Sequence, residues 1–499
     1  MNASKGWAHL VAIGGTGMGA LAALLQDLGW QVTGSDGPLY PPMSTFLASR
    51  RIPLAEGYAP ENVRGERWGI AKARPDLVVI GNAISRSNVE AQAVEACVAE
   101  GTRRMSFAQA LAEFCIDDRR SFVVAGTHGK TTTSSVLAWC LESLGRQPGF
   151  FVGGIPKNFG QGCRVAEGRD FVSEGDEYDT AYWDKGSKFL HYRPSWVLCT
   201  GIEFDHADIF ADLSAVEASF LKLVDKTREG WILVDDEASP SPASVARVAA
   251  RVKEAGQRLW RYGAMAGSEL RLHGIESVEL PWDRSVRGAR LDLETPTLGR
   301  FRVDSPLIGR HNALNLLGVV GTLLAGEVLK DVASLQEALR GFRGVKRRQE
   351  EVFVSPGLVV IDDFAHHPTA IRETIAAIRS RYAGARVAAF FEPRSATSAR
   401  KVLEKEFSES FDGADAVFLV PPTKANVPEA ERLDAKAVLA TWSSKAANRA
   451  KFGLADPSIE TLAQRFDEWR RGDSSRAVAL VMSNGPFGGL HGRLATLGS

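Results

Sequence analysis

Short apolar runs recur along the chain, and most stop at glycine, a hydroxyl or an acid, the pattern of buried strands whose carboxyl ends carry polar chemistry. His9-Leu10-Val11-Ala12-Ile13 predicts a strand, Gly14 to Gly19 a tight turn, and Ala20 through Leu28 a helix stopped by Gly29. Gln31-Val32-Thr33 then leads to Ser35-Asp36, and Leu77-Val78-Val79-Ile80 leads to Gly81-Asn82-Ala83-Ile84-Ser85. The rhythm restarts at Val123-Val124-Ala125, where a glycine turn opens a helix carrying Val136, Leu137, Cys140, Leu141 and Leu144. Phe171-Val172 and Trp196-Val197-Leu198-Cys199 predict further strands, each followed by an acidic cluster. From about Arg258 to Pro306 the pattern shortens to alternating strands and turns, and Gly309-Arg310-His311-Asn312 then opens a helix. The last third returns to buried strands at Leu358–Ile361, Val387–Phe391, Val417–Val420 and Val478–Val481. The whole reads as α/β, and the polar stretch Asp117-Asp118-Arg119-Arg120 marks a first domain boundary.

Length supports more than one core, since 499 residues exceed what a single ordinary domain holds. Lysine plus arginine equals aspartate plus glutamate at 60 each, so whole-chain charge supplies no case for nucleic acid or an anionic membrane as partner. Five scattered cysteines without a C-x-x-C pair argue against a disulfide framework and a cysteine zinc site, and fit a reducing cytoplasm. No signal-peptide pattern and no apolar run of about eighteen residues appears. No obligate protein partner is inferred.

Two glycine turns carry the chemistry. Gly15, Gly17 and Ala20 satisfy the looser G-x-G-x-x-A form, with Asp36 near ribose-binding distance; a dinucleotide, a nucleotide-sugar and mere close helix–strand packing all remain open on this pattern. The second, Gly126-Thr127-His128-Gly129-Lys130-Thr131-Thr132, reads as a phosphate cradle: small residues let backbone N–H groups close on phosphate, Lys130 reaches a terminal phosphate and Thr131 can hold Mg²⁺. The alternative is an ordinary strand-to-helix turn bearing an exposed lysine; on the phosphate-cradle reading too, Lys130 is expected to be an exposed loop lysine that contributes little to core packing and folding. The acidic clusters Ser173-Glu174-Gly175-Asp176-Glu177-Tyr178-Asp179 and Glu203-Phe204-Asp205-His206 offer the hard oxygens that Mg²⁺ wants, or are solvated loops. Lys346-Arg347-Arg348 suits a hinge carrying cations, and His366-His367 lacks the further ligand that zinc would need.

In order and spacing, the Gly126–Thr132 segment, the Glu174 segment, Glu203-Phe204-Asp205-His206, His311-Asn312-Ala313-Leu314-Asn315, Lys346-Arg347-Arg348 and Asp362-Asp363-Phe364-Ala365-His366-His367-Pro368 resemble the Mur ligases over nearly the whole chain. Tyr40–Thr45, Asp176–Ala181 and Lys188–Pro194 resemble the branch of that family that takes a murein peptide, with the L-alanine-adding branch as alternative. The resemblance implies a Rossmann-like domain at 1–118 for a UDP-sugar, a central P-loop-type ATPase domain at 119–343, and a doubly wound domain at 344–499 for the peptide. It implies ATP and Mg²⁺, the small-molecule substrates UDP-N-acetylmuramate and a murein peptide, and an amide bond made through an acyl phosphate. By motif, Gly15, Thr16, Gly17, Met18, Gly19, Asp36 and Ser85 surround UDP. Gly126, Thr127, His128, Gly129, Lys130, Thr131, Thr132, Asn312, Arg348, Asp363 and His366 meet ATP. Thr131, Glu174 and His206 hold metal; Lys130, Glu174, His206 and Arg348 are catalytic. Arg394 and Ser395, at a strand end, are candidates for a peptide carboxylate. Some members carry a carbamylated lysine, but the corresponding position is Phe220, with Lys222 two residues on, and no modified lysine is assigned.

Overall fold

A computed structural model describes residues 5–41, 43–205, 207, 209–237, 239–423 and 427–498. The chain divides into two compact units, one of Met1–Ile202, Ser214–Arg261 and Gly318–Lys330, the other of Glu203–Leu213, Tyr262–Leu317 and Asp331–Ser499. No helix among the described residues is long and apolar enough to cross a membrane.

The first unit holds two sets of parallel strands, the second edged by the antiparallel pair of Gly149–Phe151 with Cys163–Arg164. In one, Trp7–Val11 is central, with Gln31–Asp36 and Leu54–Glu56 on one side and Leu77–Ile80 and Arg103–Ser106 on the other. All of these pairs are parallel, and the apolar strands Trp7–Val11 and Leu77–Ile80 are buried at every position, as strands covered on both faces require. In the other, Arg120–Ala125 lies between Trp196–Cys199 and Asp170–Glu174, with Gly230–Val234 beyond the former and Gly149–Phe151 beyond the latter. Placing Arg120–Ala125 in the interior puts its glycine turn among the carboxyl ends of several parallel strands, where open α/β sheets bind ligands.

The second unit holds an antiparallel ladder of Leu270–Leu280, Asp283–Thr295 and Gly299–Ser305, the β-rich stretch that the alternation predicts. It also holds a six-stranded sheet in the order Glu350–Val354, Leu358–Asp363, Ala477–Ser483, Arg386–Glu392, Ala416–Leu419, Phe452–Ala455, parallel except for its first strand. Strict alternation sorts these strands between two cores. Val359, Ile361, Val387, Ala389, Phe391, Val478 and Leu480 pack with helices Pro368–Arg381 and Ala435–Ser444. Leu358, Val360, Ala388, Phe390, Ala479 and Val481 pack with Ile459–Arg471 and Leu490–Thr496. The sheet is doubly wound because each face has its own helices.

Local differences from the sequence reading have backbone causes. The first strand stops at Val11 because Ala12 sits at φ 65, and the Ala12 and Ile13 N–H groups turn to the Ser35 carbonyl at 2.9 and 3.1 Å. The first helix begins at Thr16, four residues before Ala20, with Gly15 as its N-cap, so Gly17 and Gly19, expected in the turn, lie in the helix's first turn.

Candidate active site

Both glycine turns lie in the first unit. At the first, Thr16 is exposed while Met18 and Gly19 are buried, Met18 with its side chain in the core. The Asp36 carboxylate accepts from the N–H groups of Gly14 at 2.6 Å and Gly37 at 2.7 Å and from the Tyr58 hydroxyl at 2.8 Å, so it holds the turn's shape. Ser85 is exposed, its hydroxyl 2.9 Å from that of Ser87. Behind Ser35, the fully buried Glu90 accepts from Ser35 Oγ at 2.5 Å and Asn62 Nδ2 at 2.6 Å and lies 2.8 Å from His9 Nε2. Burial alone would raise the Glu90 carboxyl, but His9, Ser35 and Asn62 outweigh it and hold it below its ordinary range.

The second turn is built tighter. Gly126 has φ +124, and a Cβ there would lie 2.4 Å from Thr200 Oγ1 and 2.9 Å from the Gly201 carbonyl, so only glycine fits. Gly129, at φ 78, starts the helix Lys130–Ser143. Thr200 Oγ1 donates to the His128 carbonyl at 2.5 Å and the Thr127 N–H to the Gly201 carbonyl at 3.0 Å, pinning the loop from the neighbouring strand's end.

Lys130 is not the exposed lysine that the sequence suggests. Its side chain is 11 % exposed, and Nζ donates to the Gly126 carbonyl at 2.7 Å and Glu177 Oε2 at 2.6 Å. Burial pushes its pKa down, yet Glu177, Asp176 and Glu174 together outweigh that and raise it, so the cation stays charged. Replacing it alone removes the cation from a carboxylate that is 3 % exposed, and the reading of Lys130 as an exposed lysine is corrected accordingly. Thr131 Oγ1 donates to Glu174 Oε1 at 3.0 Å, while Glu174 Oε2 accepts from the Gly153 N–H at 2.8 Å. A hydroxyl and a carboxylate side by side at a helix N-terminus, both hard oxygen donors, fit Mg²⁺. His206 lies outside the described residues. Phe220 is fully buried, 5.6 Å from the Phe189 ring, and Lys222 is exposed.

The second unit gathers the other predicted residues. Asn312 is buried on the helix Arg310–Ala325, its Nδ2 donating to the Ile308 carbonyl at 2.8 Å. His311 lies 3.6 Å from Glu373 and 3.3 Å from Gln349 Nε2. The Arg348 guanidinium lies over the Phe364 ring at 4.7 Å, and Asp363 accepts from the N–H groups of Gln349 and Ala365, both at 2.8 Å. Burial raises the Asp363 carboxyl against the pull of Arg348 and these N–H groups. The segment from Gly344 to Gln349 bends through positive φ at Gly344, Arg347 and Gln349, a conformation that the non-glycine residues adopt at a cost of order 1–3 kcal/mol each.

His366 Nδ1 lies 3.0 Å from the Phe364 carbonyl, and its Nε2 is 4.0 Å from Asp205. His367 caps the helix Pro368–Arg381 and lies 3.7 Å from Glu203, whose other oxygen accepts from Thr369 Oγ1 at 2.9 Å. Arg394 is half exposed, 4.0 Å from Glu392, whereas the Ser395 hydroxyl is bound within its own loop by Ser398. Glu177 and Thr369 are what sequence reasoning missed. Glu177 stands inside an acidic cluster in which nothing local distinguishes it from Asp176, and only the fold brings it to Lys130.

Models of known families match three consecutive stretches: the Mur ligase family catalytic domain at residues 8–118, the Mur ligase middle domain at 124–323 and the Mur ligase glutamate ligase domain at 347–481. The chain is 38% identical over 488 residues to the UDP-N-acetylmuramate–L-alanyl-γ-D-glutamyl-meso-2,6-diaminoheptandioate ligase of Escherichia coli K12, covering 97% of each chain. It belongs to the Mur ligase family. Among other Mur ligases, the UDP-N-acetylmuramate–L-alanine ligase of Mycolicibacterium gilvum is 33% identical over 422 residues, covering 83% of this chain and 82% of its own. A crystal structure of a murein peptide ligase from Psychrobacter arcticus superposes with a TM-score of 0.67 at 29% identity, covering 99% of this chain and 98% of that one.

Proposed function

We propose that this Mur ligase joins UDP-N-acetylmuramate to L-Ala-γ-D-Glu-meso-diaminopimelate at the expense of ATP, forming an amide bond, and that it serves peptidoglycan recycling in the cytoplasm. The observation that carries this reading is the 38% identity over 97% of the chain to a ligase of that name, against a shorter match to the alanine-adding enzyme. The division into a UDP-sugar domain at 1–118, an ATP domain at 119–343 and a peptide domain at 344–499 is part of the proposal.

The chemistry asks a carboxylate to attack a triphosphate, two anions that repel until cations stand between them. Lys130, held in the mouth of its glycine turn, meets the γ-phosphate, and the N–H groups of the turn and helix N-terminus receive the other phosphate oxygens. Thr131 and Glu174 would hold Mg²⁺, which would supply charge neutralisation there. Asn312 faces the adenine, and Arg348, with Asp363 and His366 beside it, adds the second side-chain cation. A muramoyl carboxylate oxygen bonds to the γ-phosphorus as the bond to ADP breaks, giving an acyl phosphate and ADP; the peptide amine adds to the acyl carbon and loses a proton, and inorganic phosphate leaves to give the amide. Excluding water matters because the acyl phosphate would otherwise hydrolyse. Gly15 to Gly19 and Ser85 hold the UDP group, with Asp36 fixing the turn, and Arg394 reads a peptide carboxylate.

The test is product mass and phosphate release with ATP, Mg²⁺ and UDP-N-acetylmuramate, offering the tripeptide in one reaction and L-alanine in another. Tripeptide-dependent product is expected. Product with L-alanine alone would move the chain to the biosynthetic branch and overturn the assignment.

A further inference from the structure

One chain segment joins the surroundings of the two glycine turns within the first unit. Strand Asp170–Glu174 ends on Glu174, residues 175–178 form a loop that carries Glu177, and a short hairpin follows, Asp179–Ala181 paired with Asp184–Ser187. The hairpin's base clamps that loop. The Lys188 N–H donates to the Tyr178 carbonyl at 3.0 Å, and Lys188 Nζ donates to Asp176 Oδ2 at 2.9 Å. The hairpin is itself braced by Thr180 Oγ1 on the Gly186 carbonyl at 2.8 Å and by Lys185 with Asp179 at 2.6 Å.

Its tip is anchored on the other sheet of the unit. The Tyr182 hydroxyl donates to Glu95 at 2.5 Å, the Arg104 guanidinium stacks over the Trp183 ring at 4.1 Å, and Arg104 also pairs with Glu95. Tyr182 and Trp183 pack against a core that includes Val11 and Ile80, the strand ends that lead into the first glycine turn and into the Ser85 loop, and Ile84 within that loop. A continuous set of contacts thus runs from the strand ends of the first sheet, through the hairpin, to the carboxylate that grips Lys130.

We propose that this hairpin is a strap: its anchored tip holds Glu177 in place, Glu177 sets the position of Lys130 in the phosphate turn, and the first sheet is thereby coupled to phosphoryl transfer. The inference rests on the proposed ligase reading. Glu177 is a positioning residue that acts through Lys130, and Tyr182 and Trp183 are positioning residues that act through Glu177. A lysine displaced by a fraction of an ångström still attracts ATP, but it no longer meets the charge that develops in the transition state, so the strap's effect belongs in kcat.

The experiment compares wild type with Tyr182→Phe, Trp183→Ala, Glu177→Gln and the two combinations with Glu177→Gln, each assayed for kcat and KM for ATP. Hydrogen–deuterium exchange over residues 175–178 is the readout independent of turnover. The strap predicts that Trp183→Ala lowers kcat by about 10-fold with KM for ATP changed less than about 2-fold, and that exchange at 175–178 quickens. It also predicts that adding Trp183→Ala to Glu177→Gln costs less than about 2-fold more, because the two act in series. Tyr182→Phe removes one hydroxyl and carries the same test, with a smaller loss, if the tryptophan variant does not fold. Unchanged kcat and exchange in the folded tip variants, or losses that multiply with Glu177→Gln, would overturn the strap. Absence of ligation by wild type would instead overturn the functional reading beneath it.

Discussion

The two glycine turns of the first unit have the same plan, a buried parallel strand, a glycine bend and a helix N-terminus, yet they differ in the charge that closes them. At the first, a carboxylate, Asp36, receives the Gly14 N–H at the turn's start together with the N–H of its own neighbour Gly37. At the second, an ammonium, Lys130, lies in the mouth, balanced by Glu177, while Thr131 and Glu174 stand beside it. Backbone geometry alone would let either turn take an anion. The side chain that closes the turn decides, since an aspartate repels a phosphate at the place where a lysine attracts it. On this account, the second turn takes the triphosphate and the first takes a nucleotide whose phosphates approach the helix N-terminus away from Asp36.

The largest expected effect comes from removing the difference. Lys130→Met should lower kcat for ligation by at least about 100-fold, the scale on which single preorganised charge-stabilising groups act. It should also destabilise the fold, because Glu177 is left buried without its cation; Lys130→Met with Glu177→Gln should recover most of the stability and none of the turnover, as thermal melts alongside phosphate release would reveal. Beneath the first turn, Glu90→Ala should cost roughly 3–5 kcal/mol in denaturant unfolding, the range for breaking a buried charged network.

That network also has a pH signature. Because the Glu90 carboxyl is held below its ordinary 4.5 in the folded chain, its stabilisation is complete above that value and is lost as pH falls through the lower folded value. Unfolding free energies measured from about pH 7 to about pH 3 should therefore fall more steeply for wild type than for Glu90→Gln. Asp36→Ala should loosen the first turn, weakening UDP-N-acetylmuramate about 10-fold in calorimetry while leaving ATP within about 2-fold. Smallest of all, Lys222→Ala should change stability by less than about 0.5 kcal/mol, since its side chain is exposed.

How legible this was in the sequence depends on whether the information is local. The strands of the C-terminal sheet are continuous apolar runs that end in polar residues, so Leu358–Asp363 and Arg386–Glu392 could be placed within a residue or two. The strand, glycine turn and helix around Gly126–Thr132 were legible because the apolar run, glycines, lysine and threonine are adjacent in sequence. The burial of Lys130 was not, because it depends on a carboxylate 47 positions away, delivered by a neighbouring strand. Nor were Asp36's partners: its spacing from the glycine turn is local, whereas the Gly14 N–H and the Tyr58 hydroxyl reach its carboxylate from about twenty positions away on either side. The short strands Gly149–Phe151 and Phe452–Ala455 carry too few residues for periodicity to reveal them.

The most direct measurement of the central claim, that charge divides two similar turns between two ligands, is calorimetric titration of Mg²⁺-ATP and UDP-N-acetylmuramate into wild type and into Lys130→Met/Glu177→Gln. The account predicts that each ligand binds wild type without displacing the other, and that the double variant loses ATP affinity by about 100-fold while UDP-N-acetylmuramate affinity stays within about 2-fold. Displacement of one ligand by the other, or equal weakening of both in the variant, would contradict it.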